Sequence, residues 1–175
     1  MIRLEKCDQS CYDTLISWVD SAEALMQFAG PAFTFPLTKE QLEKSLSDNK
    51  RFAFKVVDVG TALPIGQAEI YLSEKSAYLG SILIGNKRLR GKGVGKGIVS
   101  QLLAYAFDVL AQTKVELNVF DWNTGAIKCY EKVGLCINPS KRATRKVSGQ
   151  TWTAINMFID KGKWQQLQQT EIKGF

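Results

Sequence analysis

Residues 88–99 read RLRGKGVGKGIV, a run in which four glycines are interleaved with four Lys/Arg side chains before the chain turns apolar. On one side lies SAYLGSILIG (76–85), a β-rich run bounded by turn residues, and on the other KGIVSQLLAYAFDVLAQ (96–112), long and apolar enough for a buried helix. The stretch therefore reads as a strand-to-helix turn. At a helix start several backbone N–H groups have no intrahelical acceptor, and the helix dipole adds partial positive charge. An anion such as a phosphate is the natural guest, and glycine suits the place because a Cβ would hold the phosphate away from those donors.

Two phosphate motifs fail against these letters. Walker A requires G-x-x-x-x-G-K-[ST], yet Arg90 stands at its first position and Gly97 follows Gly95-Lys96. The dinucleotide fingerprint G-x-G-x-x-G fails from Gly91, where Lys96 replaces the third glycine, and from Gly93, where Ile98 does.

Outward from the turn, the chain shows no repeat and no Pro/Gly/Ser linker, so residues 1–175 are read as one domain. IRLEK opens as a strand. Asp8 or Ser10 then caps a helix expected to run through CYDTLISWVDSAEALMQF (11–28), and Thr38 with Gln41 makes a capping box for KEQLEKSLSDN. RFAFKVVDVG, PIGQAEIYL and SAYLGSILIG follow as three antiparallel strands. After the long helix, KVELNVF is a strand, TGAIKCYEKVG a helix stopped by Gly134, RATRKV and WTAINMFI a strand pair, and KWQQLQQ a short helical turn. The strand-helix-strand crossover at the centre is right-handed and pairs its strands in parallel. The predicted fold class is α/β (α+β): a mixed, mostly antiparallel sheet of seven strands with helices on both faces.

Composition narrows the function. The chain is 45% hydrophobic and carries a net charge of +6, which assists an anionic partner without naming one. Histidine is absent, which removes Ser-His-Asp and Cys-His machinery. Cys7, Cys11, Cys129 and Cys136 form no CxxC pair, so no metal site is expected and reduced, partly buried thiols are. Zinc-finger spacing and an RNP-like aromatic signature are both missing, so a nucleic-acid partner ranks last. No apolar run reaches the length of a membrane span, and MIRLEKCDQS lacks the apolar core of a signal peptide; a cytoplasmic protein, monomer or homodimer, is the expectation.

Arg90-Gly91-Lys92-Gly93-Val94-Gly95 matches the R/Q-x-x-G-x-G/A signature, and NTGAIKCYEKVGL (123–135) matches N-x-x-A-x-x-x-Y-x-x-x-G-[FL] through Asn123, Ala126, Tyr130, Gly134 and Leu135. With these two segments in this order, the chain resembles the GCN5-related N-acetyltransferase (GNAT) family over nearly its whole length. The resemblance implies acetyl-CoA as donor and a primary amine, on a small molecule or a protein N-terminus, as acceptor. It also implies that the central parallel strands splay apart, with pantetheine pairing along Ile82, Leu83 and Ile84 and the pyrophosphate over Arg90 to Lys96. The loop AGPAFTFPLT (29–38) resembles that of acetyltransferases acting on ribosomal-protein N-termini, although similar loops occur in enzymes for small amines.

Acetyl transfer to an amine requires a neutral amine, a polarised thioester carbonyl and a proton for the departing thiolate. The resemblance gives the last role to Tyr130, whose bland alternative is a packed helix tyrosine. Asn123 either hydrogen-bonds pantetheine or simply caps the following helix, or does both. Some relatives carry a glutamate where Asn118 stands, leaving Asn118 to orient water. Glu69, set among apolar residues, is the preferred general base, against the alternatives of a half-exposed strand carboxylate or a structural ion pair. Phe33, Phe35, Trp18 and Trp122 are candidate walls of the acceptor site. The rival to an enzyme is a non-catalytic acyl-CoA-binding sensor or partner module.

Overall fold

The computed structural model describes residues 1–173. A single seven-stranded sheet runs in the order β1-β2-β3-β4-β5-β7-β6. β1 (Ile2–Lys6), β2 (Arg51–Asp58), β3 (Pro64–Leu72) and β4 (Ala77–Ile84) form an antiparallel meander. β5 (Lys114–Phe120) joins β4 in parallel and β7 (Gln150–Asp160) antiparallel, and β6 (Cys136–Val147) closes the far edge. The mixed sheet and its one parallel pair agree with the sequence reading.

Side chains alternate across each strand, so one sheet has two faces to cover. On one face α4 (Val94–Ala104), prolonged by a π-helical turn over Tyr105–Val109, buries Ile98, Val99, Leu102, Leu103 and Phe107 against Val56, Ala68, Ile70, Val115 and Leu117. On the other, Leu15, Leu25, Phe28, Phe33, Leu37 and Leu42 form a smaller core over Ala53 and Leu83. That core is built by α1 (Tyr12–Ser17), α2 (Ala22–Ala29) and α3 (Lys39–Leu46).

The single helix expected over 11–28 is two. α1 stops at Ser17, and α2 restarts after Ser21, whose extended backbone and side-chain oxygen cap it through the Ala24 amide at 3.1 Å. Ser21 competes locally with helix continuation, which is the usual behaviour of serine. Thr38 caps α3 as expected, but Gln41 turns its side chain away, binding the Thr34 amide and the Thr34 and Pro36 carbonyls instead. Asp8, rather than Ser10, caps the turn after β1.

The closing helical turn is longer than expected: α6 spans Lys161–Lys173, with Trp164 stacked on Phe107 and Leu167 against Gly134. Gly174 and Phe175 lie outside the described residues. Cys7 and Cys11 are joined as a disulfide, with Cα atoms 6.1 Å apart, where free thiols were expected; Cys129 and Cys136 are free. The bend between β1 and α1 brings the two sulfurs together, which spacing in the sequence did not signal. Among the described residues no helix is long and apolar enough to cross a membrane, and no cluster of metal-ligating side chains occurs.

Candidate active site

β4 and β5 pair over only three positions, Ala77 with Val115, Tyr78 with Glu116 and Leu79 with Leu117. Beyond Leu79 they part. The cause is local: between Glu69↔Gly80 and Gln67↔Leu83, β4 carries an extra residue relative to β3. Ser81 adopts φ 49°, a left-handed backbone that kinks β4 away from its parallel neighbour. Gly80-Ser81 in the middle of an otherwise apolar strand was the available sequence signal for this bulge.

The parting opens a cavity of about 690 Å³. Its floor is the unpaired edge of Gly80–Ile84 facing Leu117–Val119, and it extends to both faces of the sheet. Toward α4 and α5 (Thr124–Glu131) it meets the glycine turn, Lys96, Asn123, Tyr130 and Lys132. Toward α1 and α2 it meets Trp18, Val19, Ala24, Gln27 and Phe28.

The glycine turn behaves as its composition demands. Gly91 and Gly93 take φ 76° and 83°, and Gly93 begins α4 without a side-chain cap. None of the amides of residues 91–96 has a backbone acceptor among the described residues; the first bond of the helix runs from Gly97 N–H to Gly93 C=O at 3.1 Å. A Cβ at Gly91 or Gly93 would meet no atom of the chain within 4 Å, so the space over these amides is open to a ligand. Arg90 folds back and donates through Nε and Nη2 to the Ile84 carbonyl at 3.2 and 3.0 Å, tying the turn to the end of β4. Lys92 and Val94 do not line the cavity, and Val94 packs on the core.

Six consecutive free amides, a capless helix start and Lys96 at the rim suit a diphosphate. The unpaired edge of Ile82, Leu83 and Ile84 suits an amide-bearing arm that pairs as a strand would. The residues present therefore fit coenzyme A.

Tyr130 projects from α5 into the cavity and is half-buried. Burial pushes its phenol above the ordinary tyrosine range, so the hydroxyl stays protonated at neutral pH. It has no hydrogen-bond partner among the described residues. Asn123 caps α5 through the Ala126 amide at 3.3 Å and also lines the cavity, so both expected roles are geometrically compatible.

Three expected acceptor walls lie elsewhere. Phe33 is buried in the α1–α3 core, because the loop folds inward at that residue. Phe35 and Trp122 are exposed, and Trp122 stacks on Phe120 and meets Trp152 edge-to-face instead of facing the cavity. Trp18 and Asn118 do line it. Gln27, Ala24 and Phe28 were missed, since reading 11–28 as one helix concealed how α2 is displaced over the splay.

Glu69 does not line the cavity. It is buried behind the bulge, accepting from Arg51 Nη1 at 3.0 Å and Gln67 Nε2 at 3.1 Å, with Ser81 within hydrogen-bonding reach. Burial pushes its carboxyl up while Arg51 opposes the rise. The ion-pair alternative is thus realised, and Glu69 stands behind two cavity residues, its register partner Gly80 and Ser81. Glu116, on the same face as Asn118, is also 3% exposed but ligated all round: by Lys141 and Tyr78 at 2.8 Å, Lys114 at 3.0 Å and Asn156 at 3.2 Å. Asn156 donates as well to Asn118 Oδ1 at 3.1 Å, so this cluster positions one cavity residue.

The model of the acetyltransferase (GNAT) family matches residues 18–135, more than half of the sequence. The chain belongs to this family. Acetyl-CoA is accordingly its acetyl donor, and the enzyme is an N-acetyltransferase. Among solved structures it is similar to spermidine N-acetyltransferase from Vibrio cholerae in complex with CoA and spermine (23% identity, 93% of this chain and 97% of that one, TM-score 0.78). It is also similar to aminoglycoside acetyltransferase AAC(6')-Ib in complex with coenzyme A (18% identity, 95% and 98%, TM-score 0.73). At these identities the likeness is one of fold. Neither structure is a ribosomal-protein N-terminal acetyltransferase, so the kinship drawn from AGPAFTFPLT finds no support.

Proposed function

We propose that this enzyme acetylates a small primary amine by direct attack within a ternary complex, with Tyr130 as general acid. The observation that carries the reading is the Tyr130 hydroxyl, unpartnered among the described residues, on the same cavity as the glycine turn and its free amides. When bound, acetyl-CoA supplies the activated acyl group. The main-chain donors of residues 91–96 hold its diphosphate, and the edge of Ile82–Ile84 aligns its arm. The attacking amine enters between β4 and β5 from the α2 side, and the phenol of Tyr130 delivers a proton to the leaving sulfur. A small acceptor, rather than a protein N-terminus, is favoured by the similar proteins, whose names specify spermidine and aminoglycosides.

The test is Tyr130→Phe. Thiol release in the presence of amines should fall by about 100-fold or more, while acetyl-CoA binding measured by calorimetry stays within a few fold. Undiminished turnover in the variant refutes the acid role. Binding of acetyl-CoA by the parent enzyme without acetylation of any amine would favour the non-catalytic module.

A further inference from the structure

The two mouths of the splay are chemically unlike each other. On the α4–α5 side the cavity carries Arg90, Lys96 and Lys132 beside the free amides, a surface made for phosphate. On the α1–α2 side the wall is Trp18, Val19, Ala24 and Phe28, with Gln27 as a neutral polar group. Asp20 is the sole carboxylate on the whole cavity surface among the described residues, and Lys87 Nζ stands 3.5 Å from it at the exposed rim. Glu23, the next acid on α2, does not line the cavity and instead accepts from the Ser148 hydroxyl of the β6–β7 turn. Glu69 and Glu116 are themselves buried and each is committed to partly exposed cations behind the strands.

We infer that the acceptor is a monoamine with an apolar body, one that brings a single amino group to the splay and no second positive charge. This inference rests on the acetyltransferase reading above and specifies its substrate class. An apolar pocket accepts hydrocarbon or aromatic surface readily, but a further ammonium lodged there without a counter-ion loses its hydration uncompensated. The sole cavity acid already faces a lysine, so a polycation would have to displace that contact and would still leave charges unmatched.

The same walls bear on how the amine becomes nucleophilic. Desolvation disfavours the charged form of an amine, lowering its pKa toward neutrality. Trp18 and Phe28 thus promote loss of the ammonium proton to solvent as the amine enters, in a cavity whose sole carboxylate among the described residues, Asp20, is exposed and paired with Lys87. The nitrogen lone pair then forms the new N–C bond as the C–S bond breaks. The electron pair leaves on sulfur, which takes the proton of Tyr130, and the nitrogen's second proton passes through water to the Tyr130 phenolate, restoring the phenol.

The experiment compares 2-phenylethylamine, spermidine and kanamycin as acceptors for the full chain with saturating acetyl-CoA, following thiol release and product mass. The expected result is a kcat/KM for 2-phenylethylamine about 100-fold or more above that for either polycation, in keeping with the cost of a mismatched charge in an apolar pocket. A preference for spermidine or kanamycin overturns the assignment, as does equal use of all three. Acetyl-CoA binding in calorimetry with none of the three amines acetylated also overturns it, leaving the cofactor reading intact. No acetyl-CoA binding at all brings down the reading beneath it.

Two variants sharpen the test. Ala24→Phe, which fills the α2 wall, should raise KM for 2-phenylethylamine at least tenfold with acetyl-CoA affinity unchanged. Gln27→Glu, which adds a carboxylate to that wall, should narrow the gap between the aromatic amine and spermidine. If neither variant alters acceptor kinetics, the α1–α2 mouth is not the acceptor site and the inference fails.

Discussion

Replacing Glu116 by Gln separates the electrostatics of the cluster behind Asn118 from its packing. Burial alone pushes the Glu116 carboxyl up, but bonds from Lys141, Lys114 and Tyr78 together outweigh it and hold the group at about 2, against an ordinary 4.5. A carboxylate whose pKa is depressed by folding stabilises the native state above its unfolded value, and that stabilisation is lost as pH falls toward the folded one. A fall from 4.5 to about 2 corresponds to about 3 kcal/mol. Glutamine keeps the shape and still accepts from Tyr78 and Asn156, so the charge is the main thing removed. Urea unfolding of parent and Glu116→Gln, followed by tryptophan fluorescence between about pH 7 and about pH 3, gives the difference in stability at each pH. Other carboxylates titrate in both proteins and cancel in that difference. It should approach about 3 kcal/mol near neutrality and shrink progressively below about pH 4.5. A difference that does not vary with pH would refute the claim that paired cations, rather than shape, make Glu116 stabilising. Because Asn156 bridges Glu116 and Asn118, the variant should also raise the acceptor's KM.

Two further substitutions probe the cofactor turn and the carboxylate behind the bulge. Gly93→Ala places a Cβ at φ 83°, costing about 1 kcal/mol of stability, and it should weaken acetyl-CoA in calorimetry by at least tenfold, because the methyl occupies the space over the free amides. Unchanged affinity would mean that the diphosphate sits elsewhere. Glu69→Gln should lower kcat more than it changes acetyl-CoA affinity, acting through Ser81 and the geometry of the bulge; turnover equal to the parent's removes Glu69 from the mechanism.

The glycine turn and the side of the cavity beside it were legible in the letters because they depend on local backbone chemistry. Gly91 and Gly93 do have positive φ, the amides that follow are free, and Tyr130 and Asn123 reach the cavity from one helix at fixed spacing. A motif of this kind needs only a strand before it and a helix after it. The acceptor side was not legible, because it depends on where separate elements come to rest. Phe33, Phe35 and Trp122 read as equivalent aromatics in sequence, yet one is buried in the small core and two face outward.

What the sequence by itself determined is the succession of strands, the parallel crossover and the glycine turn with its free amides, all of which follow from periodicity, glycine and short-range hydrogen bonding. Tertiary structure alone decided that the parting of β4 from β5 becomes a cavity, that α2 comes to lie over the opening, and that Glu69 and Glu116 find their cations. The physical reason is that burial and charge pairing are properties of contacts between distant segments. Arg51 with Glu69 and Lys141 with Glu116 are joined only once the sheet has set its register.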